Sequence, residues 1–396
     1  MMKTYIIIIC LAGAASATYP DGNGVKRIAK ASNNFSQRLH QQIASGPANQ
    51  IYSPSSIHQA LSMTSLGARG DTETEMRTVL GLNIFTRTRE SHRAYRDVIT
   101  LLNSAPDVTI RTANAIFVNQ RRTVESTYIT DVRNLYLAEA STFDVNDPAG
   151  PETVINDYVE NKTKGLIKDL IPAGSIDPLT LAVVINTFYF NASWQTPFNK
   201  EDTKKAPFFP PQGTIQVDTM FSTRTMNIKR NFSGADVGEL VLGTGRFSLF
   251  IAQPHSVNGL PALERSLTTP GKIEQIFEGL KPERVNMSLP KFNITSQYKL
   301  KENLQALGIN KAFDQRQANF TGIDRAGGVF ISDVIHQALI EVNEAGTVAA
   351  AATAITIGVV SLPPPPTATF YVVRQYLFFL RDNRLKLILF QGKYLG

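Results

Sequence analysis

Two hydrophobic periodicities divide this chain of 396 residues into a helical part and a strand-rich part. Apolar residues recur every three or four positions over residues 37–43, 57–66, 72–80, 92–102 and 153–163. This spacing places the apolar side chains on one face of a helix. Before the last of these segments, residues 109–118 alternate apolar and polar side chains, as a half-buried strand does. The first half of the chain is therefore predicted to be mainly helical.

From residue 181 onward, strands dominate the pattern. Residues 181–190 form a near-continuous apolar run, which is typical of a strand covered on both faces. Further strands are predicted over residues 216–220, 239–242, 247–254, 284–292, 337–342, 376–381 and 387–393. Helices followed by strands in this order indicate the α+β class.

The first 17 residues have the pattern of a signal peptide. Lys3 supplies a positive charge, residues 5–14 are apolar, and Ala15-Ser16-Ala17 offers small residues for cleavage. The apolar run is shorter than the roughly 20 residues that a membrane span needs. We therefore expect a signal peptide over residues 1–17, a single secreted, extracellular domain over residues 18–396, and no membrane association.

The composition agrees with one large domain. The single cysteine, Cys10, lies in the predicted signal peptide, so neither disulfides nor thiolate chemistry is expected after cleavage. A chain of 396 − 17 = 379 residues can bury a sufficient core without disulfides. No linker, repeat or low-complexity tract divides it. The formal charge of +7 suits either an anionic partner, such as a sulfated polysaccharide, or simple solubility.

Asn-X-Ser/Thr sequons provide candidate glycosylation sites in a secreted chain. They are headed by Asn34, Asn161, Asn191, Asn231, Asn286, Asn293 and Asn319. Asn191 is the doubtful one, because it lies close to the apolar run that predicts a buried strand. The alternative is that several of these sequons are unused.

The sequence lacks motifs for catalysis. It contains no Gly-X-Ser-X-Gly elbow, no His-Glu-X-X-His zinc motif, no phosphate-binding glycine loop and no cysteine pair. None of the 5 histidines has a partner at a metal-ligand spacing. We therefore expect that the chain is not an enzyme and has no metal site, no cofactor and no nucleic-acid partner.

The most informative segment is residues 345–360, which contain neither a charge nor a proline. The first half of the segment is almost entirely small residues, and four prolines follow at residues 363–366. Such a segment can enter a sheet without burying an unpaired charge, and every backbone N–H is available to a ladder. An alanine-rich helix is the competing interpretation, because alanine is the strongest helix former.

Several motifs, in order along the chain, resemble the serpin family of protease inhibitors. Glu344-Ala345-Gly346-Thr347 and the alanines after it resemble the hinge of inhibitory members. The other matching motifs cover residues 51–57, 184–194, 289–292, 318–323, 378–383 and 388–393. The resemblance implies a serpin fold with three β-sheets, eight to nine surrounding helices and an exposed reactive-centre loop at about residues 344–366.

The resemblance also implies roles for individual residues. It places the reactive bond at Val360-Ser361, with Val359-Val360 as the runner-up. The implied hinge comprises Glu344, Gly346, Thr347, Val348, Ala349, Ala350, Ala351 and Ala352. The implied sheet-opening region comprises Ser53, Ser56, Asn186, Trp194 and His336. A small β-branched residue before the reactive bond suits an elastase-like or proteinase-3-like pocket.

The implied activity is suicide inhibition of serine proteases by a monomer. The protease attacks the loop, forms an acyl-enzyme, and is trapped when the cut loop inserts into the central sheet. Val348 departs from the glutamate usual at that position in inhibitory relatives. The alternative is a non-inhibitory member of the same fold that acts as a carrier, a storage protein or a chaperone.

A second candidate site comprises Arg87, Arg89, Arg93 and Arg96. The last three share a helix face through spacings of four and three residues. Relatives regulated by glycosaminoglycans carry basic residues in the corresponding region, which implies a heparin-like partner. An ordinary solvated face, moderated by Glu90 and Asp97, is the competing interpretation and the one that the sequence favours.

Overall fold

The structure, a computed structural model, describes residues 22–43, 46–106, 108–347, 365–366 and 368–396. The predicted signal peptide lies outside these residues. So do two sets of predicted loop positions, namely Val348, Ala349, Ala350, Ala351 and Ala352 of the hinge, and Val359, Val360 and Ser361 of the reactive bond. In the described part of the chain, no helix is long and apolar enough to cross a membrane.

The described residues contain eight α-helices. They are α1 (Gly22–Ile43), α2 (Pro54–Ser65), α3 (Gly70–Val79), α4 (Thr88–Asn103), α5 (Ser126–Tyr136), α6 (Thr153–Thr163), α7 (Leu260–Ser266) and α8 (Lys301–Ala306). The predicted helices are present as α1, α2, α3, α4 and α6. Helices α5, α7 and α8 have no counterpart among the predictions.

Helix α1 begins at Gly22, well before the predicted start at residue 37. The prediction missed the first part of the helix because its buried face is partly polar. Asn33 and Ser36 are both buried. The Ser36 hydroxyl donates to the Gln391 side chain at 2.6 Å, and the Asn33 side chain accepts the Ile388 N–H at 3.1 Å. Polar residues that hydrogen-bond inside the core interrupt the apolar periodicity from which a helix is predicted.

Fourteen strands form two hydrogen-bonded sheets in the described residues. The strands are β1 (Gln50–Tyr52), β2 (Val108–Asn119), β3 (Glu139–Phe143), β4 (Ala182–Ala192), β5 (Lys204–Phe208), β6 (Ile215–Phe232), β7 (Ala235–Leu242), β8 (Phe247–Pro254), β9 (Lys281–Pro290), β10 (Phe292–Lys299), β11 (Asp333–Val342), β12 (Ala368–Tyr371), β13 (Tyr376–Asp382) and β14 (Leu387–Tyr394). The larger sheet has the order β1-β14-β13-β8-β7-β6-β9-β12, with β5 paired to β6. The smaller has the order β10-β11-β4-β2-β3.

The resemblance implies three sheets, and the structure has two hydrogen-bonded sheets because β6 joins two of the three into one. This strand of 18 residues pairs with β5 and β9 along most of its length and with β7 at its end. One long strand that changes partners makes two sheets continuous. The α+β class is as predicted from the order of elements.

The strand predicted over residues 284–292 is two strands that belong to different sheets. Strand β9 ends at Pro290 in the larger sheet, and β10 begins at Phe292 in the smaller one. Between them, the Lys291 N–H donates to Asp218 O at 2.8 Å. Proline cannot donate to a ladder, so Pro290 is a suitable place for the chain to leave one sheet for the other. The hydrophobic pattern continues across this crossing and conceals it.

The smaller sheet positions the candidate site. Its strands β11 and β4 run parallel and pair residues 333–339 with residues 183–189. Strand β10 pairs antiparallel with β11, and β2 pairs antiparallel with β4. The buried helix α2 contacts both β4 and β14 of the larger sheet, so it lies between the two sheets. The described residues place no strand between β11 and β4.

Candidate functional site

A tight turn follows the end of β11 at the predicted hinge. The Asn343 N–H donates to Gly346 O at 2.9 Å, and the Asn343 side-chain oxygen accepts the Ala345 N–H at 3.0 Å. Gly346 has a φ of +154°, and a β-carbon there would lie 2.1 Å from Ala192 O. Only glycine fits this close approach of two backbones. Any side chain at position 346 would therefore disturb the turn.

The chain beyond the turn is bonded to the end of β4. Gly346 and Ser193 form an antiparallel bridge, and the Thr347 N–H donates to Ala192 O at 2.8 Å. The Thr347 hydroxyl accepts the Ala192 N–H at 2.8 Å, and the whole residue is buried. Because β4 and β11 are parallel, a chain that reverses after β11 and continues from Thr347 runs antiparallel to both.

Trp194 anchors the turn to the segment that follows β4. Its indole N–H donates to Asn343 O at 2.8 Å, and its backbone N–H donates to Ala345 O at 2.9 Å. Its ring packs edge-to-face on Phe198, whose backbone N–H donates to Glu344 O at 2.9 Å. Trp194, which the resemblance assigns to the sheet-opening region, therefore contacts the predicted hinge.

Glu344 is held by two partners that sequence reasoning missed. Its carboxylate lies 2.9 Å from Lys291 Nζ and accepts the Thr203 hydroxyl at 2.8 Å. Burial raises the pKa of Glu344, but the hydrogen bonds from Lys291 and Thr203 outweigh burial and hold the pKa below its usual value. Glu344 is therefore ionised at neutral pH. Thr203 lies 141 positions from Glu344 in the chain, so no local pattern links them.

Ser53, Ser56, Asn186 and His336 form one buried hydrogen-bond network. The Ser53 N–H donates to His336 Nε2 at 3.0 Å, and His336 Nδ1 lies 2.6 Å from Asn186 Oδ1. Since Nε2 accepts, Nδ1 carries the hydrogen and donates to Asn186. The Asn186 amide in turn donates to Ser56 and Asn114. His336 lies on β11 and Asn186 on β4, so their bond joins two paired strands of the smaller sheet.

Acidification should destabilise the fold through His336. Burial lowers the pKa of His336 to about 3, although its bond to Asn186 acts in the opposite direction. A histidine with a pKa of about 6.5 when unfolded therefore contributes stability above pH 6.5, which is lost as the pH falls toward the folded value. Thermal melts from about pH 7.5 down to about pH 4 should show a falling midpoint.

Two variants, His336→Gln and His255→Gln, test whether His336 contributes to this pH dependence of stability. His58 and His92 act with the same sign, because burial lowers their pKa values to about 4 and about 3. His336→Gln should be less stable at neutral pH and should show a shallower pH dependence than the parent. His255→Gln is the control for replacing an exposed histidine outside the core. An identical slope for His336→Gln would contradict a neutral, buried His336.

Comparison with known proteins identifies the family of this chain. A family model described as Serpin (serine protease inhibitor) matches residues 30–396. The chain belongs to the serpin family. Serpin B3 of Homo sapiens is 31% identical over 386 residues, which cover 93% of this chain and 98% of that protein. The resemblance found in the motifs is confirmed.

Solved structures share the fold of this serpin. Serpin48 of the insect Tenebrio molitor, described as a highly specific serpin, gives a TM-score of 0.84 at 29% identity and covers 94% of this chain and 98% of its own. Human thyroxine-binding globulin, solved as a complex with its hormone, gives a TM-score of 0.84 at 24% identity and covers 94% and 99% of the two chains. At that lower identity the likeness concerns the fold alone.

The structure exposes all four predicted arginines of this serpin, namely Arg87, Arg89, Arg93 and Arg96. Arg89 donates to both carboxylate oxygens of Asp131 on α5, at 2.7 and 2.9 Å. Arg96 donates to Asn134 O at 2.6 Å. Because Asp131 neutralises Arg89, the aligned face carries less positive charge than its sequence indicates. A heparin-like partner stays a prediction.

Most of the sequon asparagines are exposed, namely Asn34, Asn161, Asn231, Asn293 and Asn319. Asn191 and Asn286 are half-buried. Asn191 lies near the end of β4 and is more accessible than the apolar run of that strand leads one to expect. Asn286 accepts the Thr223 hydroxyl at 2.7 Å on the neighbouring strand. Glycosylation at each position stays a prediction.

Proposed function

We propose that this serpin is a secreted suicide inhibitor of serine proteases with elastase-like or proteinase-3-like specificity. The hinge is the observation that supports this most. The chain reverses direction over residues 343–346, and Thr347 is bonded to the end of β4. In the described residues, β4 pairs directly with β11, with no strand between them. The residues that follow Thr347 are small and uncharged, so they can join the sheet without burying a charge.

The target protease supplies the chemistry in this proposal. Its active-site serine attacks the carbonyl of the loop bond and leaves the loop attached as an ester. The freed chain then extends the pairing begun at Thr347, between β4 and β11, and carries the acylated protease with it. Water hydrolyses such an ester in an ordinary substrate, so inhibition requires insertion to be the faster step.

Insertion has to separate β11 from β4. The parallel pairing of residues 333–339 with 183–189 is lost, and so is the hydrogen bond between His336 and Asn186. A strand antiparallel to both neighbours restores the backbone hydrogen bonds. His336 Nδ1 and the Asn186 side-chain oxygen would be left unsatisfied unless the new strand brought them a polar partner.

The bridge between Ser193 and Gly346 indicates which loop residue would be that partner. Continuing its antiparallel register along β4 brings Thr353 opposite Asn186, which pairs with His336 on β11. Thr353 lies outside the described residues. In an inserted strand with this register, its hydroxyl would stand between the two side chains that the strand separates. A hydroxyl can both donate and accept, so it suits an amide and an imidazole together.

A denaturing gel tests the inhibitory part of the proposal. Incubation with an elastase should give a band at the summed mass of serpin and protease, because the ester is covalent. Nicking without that band would contradict inhibition and favour the alternative, a non-inhibitory carrier, storage protein or chaperone. The likeness of fold to thyroxine-binding globulin is the reason to keep this alternative. Secretion is tested separately, by finding a mature chain that starts at residue 18 in culture medium.

Replacing Val360 by arginine should move the preference from elastase-like to trypsin-like proteases. A shallow pocket accepts valine, whereas the trypsin pocket contains a buried aspartate that requires a cation. We expect the inhibition rate to fall about a hundredfold with elastase and to rise by a similar factor with trypsin. Second-order rate constants with both proteases measure the change.

Val359→Arg is the matched variant for the runner-up bond. If only Val359→Arg gains trypsin inhibition, the reactive bond is Val359-Val360. If neither variant gains it while the parent inhibits elastase, the reactive bond lies elsewhere in the loop.

A further inference from the structure

A cavity of about 1420 Å³ opens beside the hinge in the described residues. Its accessible wall carries mainly hydrogen-bonding and charged side chains, among them Gln195, Asn199, Lys200, Lys205, Asp218 and Glu341, while the aromatic residues that line it are themselves buried. Amide, carboxylate and ammonium groups around one cavity suit a carbohydrate, because its many hydroxyl groups can both donate and accept hydrogen bonds. In the proposed inhibitory reaction no group of the protease or of the loop binds in this cavity, although some of its walls move.

Asn293 lies on the cavity wall and heads the sequon Asn293-Ile294-Thr295. Its side chain is exposed, and it stands on β10, at the edge of the smaller sheet. Asn293 pairs with Glu341 of β11, so the two side chains share one face of the sheet. The sequon therefore presents its asparagine to solvent directly beside the hinge.

We propose that Asn293 carries an N-linked glycan whose first sugars occupy this cavity. In the transfer, Nδ2 of Asn293 bonds to the anomeric carbon of a sugar while the bond from that carbon to a lipid-linked diphosphate breaks. One amide proton passes to a base of the transferring enzyme. The proposal rests on the secretion part of the proposed function, because this transfer takes place in the secretory pathway.

A glycan in this cavity stabilises the closed hinge. The cavity is bounded by residues 193–201, by the β5–β6 hairpin, and by the end of β11 with the turn at residues 343–345. The turn and the end of β11 have to move relative to the other walls when β11 separates from β4. A group that binds only the closed arrangement shifts the equilibrium toward it. The hinge therefore opens less often when Asn293 is glycosylated.

The presence of a glycan on Asn293 is tested on the full chain secreted from cultured eukaryotic cells, by mass spectrometry of each peptide that contains a sequon. Thr295→Ala removes the Asn293 sequon and Thr295→Ser keeps it, so both variants change the same exposed residue. We expect a glycan on Asn293 in the parent and in Thr295→Ser, and none in Thr295→Ala. An unmodified Asn293 in a chain glycosylated elsewhere overturns the proposal.

The failure of this proposal is distinguishable from the failure of inhibition. A chain that is not secreted overturns both the secretion and the Asn293 glycan, whereas a secreted chain without a glycan on Asn293 overturns the glycan proposal alone. Covalent inhibition is scored independently by the denaturing gel.

Occupation of the cavity is tested by hydrogen exchange over residues 341–346. Removal of the glycan in Thr295→Ala should speed exchange there about fivefold relative to Thr295→Ser. Asn34→Gln removes an exposed sequon on α1, which does not line the cavity, and should leave hinge exchange unchanged. Equal hinge exchange with and without the Asn293 glycan overturns its placement in the cavity.

Discussion

Replacing Thr347 by arginine should turn this serpin from an inhibitor into a substrate. Thr347 is fully buried and exchanges hydrogen bonds with Ala192 at the end of β4. Arginine would bring a guanidinium into an apolar sheet interior, which costs several kcal/mol unless the charge is paired. Insertion would then slow, and water would hydrolyse the ester first. We expect the covalent yield to fall by at least about tenfold.

Thr347→Ser is the matched control, because it keeps the hydroxyl and adds no bulk. It should retain most of the covalent yield. The measurement is the ratio of covalent complex to nicked serpin on a denaturing gel, with thermal melts to establish that both variants are folded. Equal ratios for the parent and a folded Thr347→Arg would show that Thr347 does not lead the insertion.

Cleavage in the loop should raise the melting temperature, although nicking ordinarily loosens a fold. In the described structure, β4 and β11 share one parallel pairing. An inserted strand replaces it with two antiparallel pairings, and each additional hydrogen bond contributes about 0.5–1.5 kcal/mol net. Burial of the later apolar loop residues adds to this. We expect the midpoint to rise by more than about 10 °C.

The measurement is a thermal melt before and after limited digestion by a non-target protease that cuts within residues 354–361. The Thr347→Arg variant, nicked at the same place, should gain much less stability because its hinge cannot enter the sheet. An unchanged or lower midpoint for the nicked parent would mean that the loop does not insert. The non-inhibitory alternative would then be the better one.

Elements with a clear hydrophobic pattern could be predicted from the sequence. Helix α2 and strands β4 and β11 lie where the periodicity places them, within a few residues. Strands β4 and β11 lie inside the smaller sheet, and α2 lies buried beside it. Their burial requires apolar side chains at regular positions, and that regularity is what the sequence shows. The hinge predicted at residues 344–347 came from the resemblance, which rests on one contiguous motif, Glu344-Ala345-Gly346-Thr347.

The rest of the site could not be predicted, because it depends on contacts between distant residues. Lys291 and Thr203 meet Glu344 only after β10 and the segment following β4 have been brought to the hinge. Nothing in their local sequence distinguishes them from other polar surface residues. The polar buried face of α1 and the crossing at Lys291 were missed for the same reason, because hydrogen bonds between distant residues determine them and the local hydrophobic pattern does not.

The pairing of β1 with β14 has a consequence for the assembly of the molecule. Strand β14 is buried along its whole length, lies between β1 and β13, and contacts α1 and α2. Gln50 pairs with Lys393, more than 300 positions later. During synthesis, the ribosome therefore makes α1 and α2 long before β14, the strand against which they pack. Sheets closed by such distant contacts form slowly and leave apolar surface uncovered in the meantime. A newly made chain is thus most exposed to aggregation before β14 is in place.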